Sequence, residues 1–318
     1  MKIWLIVAAC LVALGLILFS VAMTLNHWDF KTFGTVKYVN NTHEVVDDFQ
    51  SIAVTTNTAD VSFVLTEDGS CRVECYEEEK CAHTVSVQDG TLTITISDER
   101  AWYHHIGIFS WDAPTLIIFL PQAEYDTLTL KASTGDISIP ADFHFENVEI
   151  LTDTGDVQNA ASATGTIKIK TDTGRIGIEN LSAGTLELSV STGKITAKSI
   201  YVAGDITVNV STGKTFLTDV SCKNLISDGS TGDILMTNVR ATERILLERS
   251  TGDVHFESCD ADEIAVTTDT GDVSGNLCSD KIFFTKTDTG DIEVPQSMTG
   301  GKCEITTDTG DIRIEIKK

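Results

Sequence analysis

Aspartate recurs at two fixed positions around a repeated Thr-Gly pair, and carboxylates at that spacing could hold calcium. The phrase S/D-T-G-D/K/R-I/V occurs ten times from residue 133 onward, once with Thr in its last place. If the repeats stack in layers, equivalent carboxylates lie about 4.8 Å apart and repel by ~1 kcal/mol in water. Calcium takes about six to eight oxygen ligands and would relieve that repulsion. The last three repeats carry six such carboxylates: Asp269, Asp272, Asp288, Asp291, Asp308 and Asp311.

A structural role explains the same residues without an ion. Asp and Thr side chains cap the backbone amides of turns, and like residues form ladders. The phrase also lacks the G-G-x-G-x-D pattern of calcium-binding repeats. Three central repeats place a basic residue directly after the glycine, so calcium cannot be required throughout; these are Arg175, Lys194 and Lys214.

These three basic residues interrupt a strongly acidic chain, whose 318 residues carry a formal net charge of −24. Facing outward, they could bind an anionic polymer such as a teichoic acid. Alternatively, they only break a column of like charge. The acidic balance argues against nucleic acid as a partner and against anionic membrane surfaces binding the body of the protein.

An aromatic stretch at residues 102–111 offers a second candidate binding surface. It contains Trp102, Tyr103 and Trp111, side chains suited to stacking on sugars or on a protein partner. The alternative interpretation is a hydrophobic cap over the first coil of a repeat structure.

Eight cysteines are present, with Cys10 inside an apolar N-terminal run. Cys71, Cys75 and Cys81 lie near His83, which could form a metal site, although their spacing fits no established zinc pattern. Cys259 and Cys278 occupy equivalent positions one repeat apart. That column otherwise holds aliphatic residues, which favours a core role, while a disulfide between adjacent coils stays open.

No catalytic constellation stands out, and the chain is not predicted to be an enzyme. The exported part lacks a G-x-S-x-G elbow and an H-E-x-x-H pair. His104 and His105 are adjacent, so in a strand they would point to opposite faces. Paired carboxylates on a solenoid wall could cleave glycans, but these carboxylates recur in most repeats, whereas a catalytic pair should be unique.

The elements that must position these residues are short strands. The ten repeat glycines are spaced at intervals of 20, 19, 19, 20, 19, 20, 19, 19 and 20 residues. Apolar residues alternate with period two on both sides of each glycine, which indicates strands with one buried face joined by a Thr-Gly corner. One unit cannot bury that face alone, whereas stacked units can. We therefore predict an all-β, single-stranded β-solenoid of about ten 19–20-residue coils, preceded by one N-terminal transmembrane helix.

The prediction divides the chain into four parts. Residues 1–25 form a membrane anchor, 26–39 a stalk, 40–125 a larger-coiled β section capping the rod, and 126–318 the repeat solenoid. A degenerate repeat begins at Asn57. The last coil, ending at Ile316-Lys317-Lys318, is expected to leave an exposed edge guarded by its lysines.

The anchor is predicted from residues 3–25, which contain no charged side chain and are long enough to span a bilayer. Lys2 precedes the run, so the positive-inside rule places the N-terminus in the cytoplasm and the solenoid outside the cell membrane. Two alternatives stay open: signal-peptidase cleavage after Ser20-Val21-Ala22, and lipidation of Cys10. Each would also export the rest of the chain.

The strand Thr115–Pro121, the segment Leu128–Ile137 and the T-G-D-I/V repeats resemble the DUF4097 family over roughly residues 45–318. The resemblance implies a β-strand repeat fold and the description of candidate adhesins of the bacterial cell envelope. It carries over no catalytic motif and no cofactor. The expected function is a non-catalytic cell-surface binding or adhesion module, whose partner is a cell-wall polymer, a glycan or a protein. The alternative is a membrane protein of envelope-stress regulation acting through a protein partner.

Overall fold

The computed structural model describes residues 2–25, 37–98 and 113–317. Helix α1 spans Lys2–Leu25. The described residues of the N-terminal half form strands β1 Tyr38–Val45, β2 Ser51–Thr56, β3 Asp60–Thr66, β4 Cys71–Glu78, β5 Cys81–Gln88, β6 Thr91–Asp98, β7 Thr115–Pro121, β8 Glu124–Thr134, β9 Ile137–Ile139, β10 His144–Thr154, β11 Val157–Asn159 and β12 Ser162–Ala163. The rod is completed by strands β13 Thr166–Ala183, β14 Thr185–Val202, β15 Asp205–Thr231, β16 Ile234–Thr251, β17 Val254–Cys259, β18 Glu263–Thr270, β19 Val273–Leu277, β20 Lys281–Thr289, β21 Ile292–Glu293, β22 Gly301–Thr309 and β23 Ile312–Ile316.

Each coil turns where the in-out alternation of its side chains changes phase. In β14 the buried residues are Leu186, Leu188, Val190, Ile195, Ala197, Ile200 and Val202. The first phase change falls at the Thr-Gly corner and the second near Ser199, which has a positive φ of 55°. Such phase changes let successive short stretches all face one interior.

Neighbouring coils pair in parallel and in register, so that equivalent apolar residues form columns. Leu186, for example, is paired with Ile167 on one side and with Ile206 on the other. All three are at most 1% exposed. Burial of such a side chain contributes about 1.5–3 kcal/mol, so each column stabilises the stack. The predicted all-β solenoid with one N-terminal apolar helix is confirmed.

The repeat glycine is required by the close approach of the coils at the corner. Gly213 has φ 144°, and a Cβ there would lie 1.6 Å from the carbonyl oxygen of Gly193 in the adjacent coil. An L side chain would therefore be strained by its backbone and would also collide with main chain. This double constraint explains why the motif keeps glycine in all ten copies.

At the C-terminal end the order of the coils differs from the order of the sequence. The last coil, β22 and β23, inserts between β18–β19 and β20–β21. The chain thus skips one layer after Leu277, forms the end coil, and returns to fill the gap. Gly300 and Gly301 permit the return, since a Cβ on either would lie within 2.0 Å of a backbone oxygen of Asp280 or Asp262.

The prediction that the last coil forms the exposed edge is therefore wrong for β22, which β20 covers, but it holds for β23 beyond Arg313. The outer side of β20 pairs with no other strand in the described ranges. Because no further coil covers it, Ile292 is about half exposed, although its partner Ile312 is fully buried.

The N-terminal end shows a matching exchange of order. The coil of β2 and β3, which contains the degenerate repeat, lies between β6–β7 and β8–β9. Beyond β6 and β7, strands β5 and β4 add antiparallel partners, and β1 pairs with β4. This end of the rod is thus covered by a short antiparallel layer, in which β4 and β5 face one another across the interior. The domain limits proposed from the sequence stay predictions.

Candidate functional site

The aspartates that follow the repeat glycines link one coil to the next. The carboxylate Oδ1 of Asp156 accepts the backbone N–H of Arg175, and that of Asp253 accepts the N–H of Asp272, at 2.8 and 2.9 Å. At the C-terminal end, Asp272 accepts from Asp311, and Asp311 accepts from Asp291, both at 2.8 Å. These carboxylates therefore satisfy backbone donors at the corners, as turn-capping aspartates do.

The six aspartates of the predicted calcium ladder form two columns, with the last two repeats exchanged in the stack. One column runs Asp272, Asp311, Asp291 and the other Asp269, Asp308, Asp288. Two of these carboxylates also contact a cation, Asp288 with Lys286 at 2.9 Å and Asp311 with Arg313 at 2.7 Å. Calcium binding here stays a prediction.

The predicted basic residues come together on one face of the rod. Arg175 is paired with Lys194, and Lys194 with Lys214, in three consecutive coils. Lys214 contacts Asp233 in the next coil at 2.7 Å, and this hydrogen bond raises the pKa of Lys214 and lowers the pKa of Asp233. Lys194 instead lies over the ring of Phe216, with Nζ 4.4 Å from the ring centre.

A shallow depression lies beside this column, and Gly177 is among the residues that line it. The depression has a volume of about 300 Å³, and Arg175, Lys194 and Lys198 line it together with Glu179. Within the described part of the chain, these three cations have no carboxylate oxygen within 4.0 Å, whereas Lys168 and Lys170 nearby are each paired with one. We call the surface of Arg175, Gly177, Lys194 and Lys198 the basic groove.

A second depression lies at the C-terminal end, where β21 covers only the first two residues of β23. It has a volume of about 840 Å³, with Val294, Ile314 and Ile316 among the residues that line it. Its polar rim includes His255, Glu257, Arg313 and Glu315. The backbone of β23 beyond Arg313 has no outer partner strand among the described residues, so an extended segment could pair there.

The predicted aromatic surface, Trp102, Tyr103 and Trp111, lies outside the described residues. The cysteine predictions are clearer: Cys259 and Cys278 are free thiols, and the amide of Cys278 donates to the carbonyl of Cys259 at 3.0 Å. Cys259 is fully buried, which agrees with a core role.

The structure adds Glu77 to the residues that the sequence places near a metal site. Within the described ranges, the one group of three His, Cys, Asp or Glu side chains whose ligand atoms all lie within 4.8 Å of one another is Cys75, Glu77 and His83. All three are buried. The signal in the sequence was the alternation of β4, in which Cys71, Val73, Cys75 and Glu77 share the inward phase. Cys71 and Cys81 are buried nearby but do not belong to the group.

Stacked parallel coils with a repeated Thr-Gly corner and a ladder of capping aspartates define this chain as a β-solenoid repeat protein. The model of one family, described as Toastrack DUF4097, matches residues 49–209 and again 195–318. These matches cover most of the chain, so the protein belongs to the Toastrack DUF4097 family.

Solved structures similar to this chain come from Parabacteroides distasonis and Bacteroides fragilis. A candidate lipid-binding protein from Parabacteroides distasonis is 19% identical with a TM-score of 0.52, over 76% of this chain and 97% of the other. A candidate adhesin from Bacteroides fragilis is 13% identical with a TM-score of 0.44, over 88% of this chain and 97% of the other. At these identities the similarity concerns the fold. No curated protein matches the chain.

Proposed function

We propose that this protein is a membrane-anchored, non-catalytic binding module of the cell surface, which holds an anionic polymer in the basic groove. The single observation that carries the proposal is the set of unpaired cations of the groove in a protein of net charge −24. Cations without a carboxylate partner stay available to a ligand, and a polyanion gains affinity by releasing its counterions when it meets them.

The groove suits a repeating ligand because the coils present its cations at regular spacing. Arg175 and Lys194 stand in adjacent coils, which repeat at about 4.8 Å. A flexible phosphate polymer can place successive charges along such a column, and the contact between Lys194 and Phe216 holds one cation in place. The guanidinium of Arg175 adds a planar donor that fits two phosphate oxygens at once.

The membrane anchor supports a surface role. Residues Ile6–Leu25 are long and apolar enough to cross a bilayer, with a mean hydropathy of 2.8. The length and composition of this segment also fit a signal sequence. In our proposal the segment is an uncleaved anchor, which leaves the solenoid attached to the cell. Under the positive-inside rule, Lys2 keeps the N-terminus in the cytoplasm and the rod outside. The names of the similar solved structures, adhesin and lipid-binding protein, agree with a binding role.

The test is binding of poly(glycerol phosphate) to the full-length protein in detergent micelles, measured by isothermal titration calorimetry at two salt concentrations. Lys194→Gln with Lys198→Gln should weaken binding about tenfold and should flatten its salt dependence. The matched control is Lys168→Gln with Lys170→Gln, which removes the same charge from paired lysines close by. Equal losses in both double variants, or no binding by the wild type, would contradict the proposal.

A second candidate function is regulation of the cell envelope through a protein partner. The observation that favours it is the depression beside β23, where apolar side chains adjoin an unpaired strand edge. Replacing residues 2–25 by a cleavable signal sequence separates the two functions. Polymer binding should survive this replacement, whereas a regulatory response that depends on the membrane helix should be lost.

A further inference from the structure

A buried polar cluster lies under the N-terminal end of the rod, where β4 and β5 face each other. Glu77 on β4 and His83 on β5 are each only 1% exposed as side chains, and Nδ1 of His83 lies 2.6 Å from Oε2 of Glu77. Oε2 also accepts the backbone N–H of His83 at 2.7 Å. Cys75 lies on the same strand and face as Glu77, and its side chain is likewise buried.

The remaining polar atoms of this cluster are held by two outer residues. Asn41 on β1 donates to Oε1 of Glu77 at 2.7 Å. Thr56 on β2 contacts Nε2 of His83 through its hydroxyl at 3.0 Å. Metal-ligating carboxylates and imidazoles are oriented in this way, through their second oxygen or nitrogen. Four strands thus fix the positions of one sulfur, one nitrogen and one oxygen.

We propose that Cys75, Glu77 and His83 form a binding site for a divalent metal ion of the zinc type. The ligand atoms lie within 4.8 Å of one another, close to the separation of about 3.3–3.8 Å that tetrahedral zinc requires. The mixture of sulfur, nitrogen and oxygen suits zinc, whereas calcium and magnesium take oxygen ligands. Three protein ligands leave one position for water or another donor.

Metal binding requires two small rearrangements. Nδ1 of His83 and Oε2 of Glu77 must separate from 2.6 Å to about 3.3 Å so that both can reach one ion. Any proton on Nδ1 must also leave that atom through solvent, so that the ring binds the metal as the tautomer protonated on Nε2, whose N–H donates a hydrogen bond to the hydroxyl of Thr56. The thiol of Cys75 loses its proton to solvent as the metal–sulfur bond forms.

The site lies in the interior of this end of the rod, because the side chains of Cys75, Glu77 and His83 are all buried. An ion held here would tie β4 to β5 and so would fasten the antiparallel layer at the end of the rod.

The experiment uses the full-length protein in detergent micelles, kept reduced with a phosphine and dialysed against Zn²⁺ and then against Co²⁺. We expect one high-affinity equivalent of zinc per chain and a thiolate-to-cobalt charge-transfer band in the near ultraviolet. Cys75→Ser should abolish the band and the bound equivalent, and Glu77→Gln should weaken zinc binding by about tenfold or more. The matched control is Cys71→Ser, a buried cysteine on the same strand and face that should change neither readout.

The proposal is overturned if the wild type binds no equivalent of zinc, or if Cys75→Ser keeps the cobalt band. The contact between Glu77 and His83 is then a hydrogen bond of the core. Far-ultraviolet circular dichroism and the metal-free melting temperature show whether each variant folds. Because Glu77→Gln keeps the size of the side chain, it provides a second test if Cys75→Ser unfolds. These readouts are independent of polymer binding in the basic groove.

Discussion

The backbone N–H of Asp311 donates to the carboxylate of Asp272 at 2.8 Å, although 39 residues separate them. Asp291 lies in the copy of the motif between these two in the sequence, and its backbone N–H donates to the carboxylate of Asp311. The stacking order of the last three coils is therefore 272, 311 and 291. This exchange makes Asp311 an internal rung of the ladder and Asp291 its last rung.

The exchange predicts unequal losses of stability when two equivalent aspartates, Asp311 and Asp291, are replaced. Asp311→Ala should lower the free energy of unfolding by about 1–1.5 kcal/mol, because the amide of Asp291 loses its charged acceptor. Asp291→Ala should cost much less, since its carboxylate accepts no hydrogen bond from another coil in the described structure. Urea denaturation of both variants measures the difference. If the coils stacked in sequence order, Asp291 would be the costly position.

The sequence repeat predicts the structure of each coil, but it does not predict the exchanged stacking order of the last coils. The spacing of the glycines stays at 19 or 20 residues through the exchanged copies, so Gly271, Gly290 and Gly310 look consecutive in the sequence. Stacking order depends on which coil covers which core, and all the coils present similar apolar columns. The one local trace is the Gly300-Gly301 pair, whose significance emerges only from the backbone that passes beside it.

The candidate sites likewise divide into those that the sequence repeat predicts and those that it does not. Columns of charge, such as Arg175 and Lys194, follow directly from the register of a repeat. Glu77 was missed because it reaches His83 through an antiparallel layer that lies outside the repeat. The alternation of β4 places Glu77 on the inward face, but no repeat in the sequence indicates that β4 and β5 bring it to His83.

Gly213→Ala tests the contact between the corners. The added Cβ would overlap the carbonyl oxygen of Gly193, and φ at this position is 144°, so the variant should lose several kcal/mol, on the order of 3 or more. Gly90→Ala is the matched control: its φ is 73°, but nothing lies within 4 Å of the added Cβ. It should lose only about 1 kcal/mol. Equal losses in urea denaturation would show that the backbone conformation, rather than the contact, requires glycine.

Lys214→Gln tests the electrostatic contact at the edge of the basic column. The hydrogen bond from Lys214 lowers the pKa of Asp233, so the pair stabilises the fold above the unfolded-state pKa of aspartate, and this contribution is lost as the pH falls through the lowered pKa. In the variant, the pKa of Asp233 should rise toward its ordinary value. Carboxyl NMR titration of Asp233 measures this shift directly. Lys168→Gln, which removes a lysine paired with Glu149, should leave the Asp233 titration unchanged.

Arg249 is a buried cation in the interior of the rod, only 4% exposed, at a position where other coils place Thr171 or Thr268. It fits because the paired residue in the adjacent coil is Gly229, which leaves room for the guanidinium. One Nη donates to Ser227 and the other to the carbonyl of Glu248, while Nε has no partner among the described residues. Burial lowers the pKa of Arg249, while the charge of Asp228 acts in the opposite direction.

Replacing Arg249 by an apolar side chain of similar length should therefore cost little. Arg249→Met removes the buried charge and its unsatisfied Nε while keeping the interior filled, so the free energy of unfolding should stay within about 1 kcal/mol of the wild type or rise. Arg249→Ala should lose about 2–4 kcal/mol, because it opens a cavity beside Gly229. Urea denaturation distinguishes the two. A loss for Arg249→Met as large as that for Arg249→Ala would mean that the guanidinium hydrogen bonds, rather than the filling of the interior, hold these coils together.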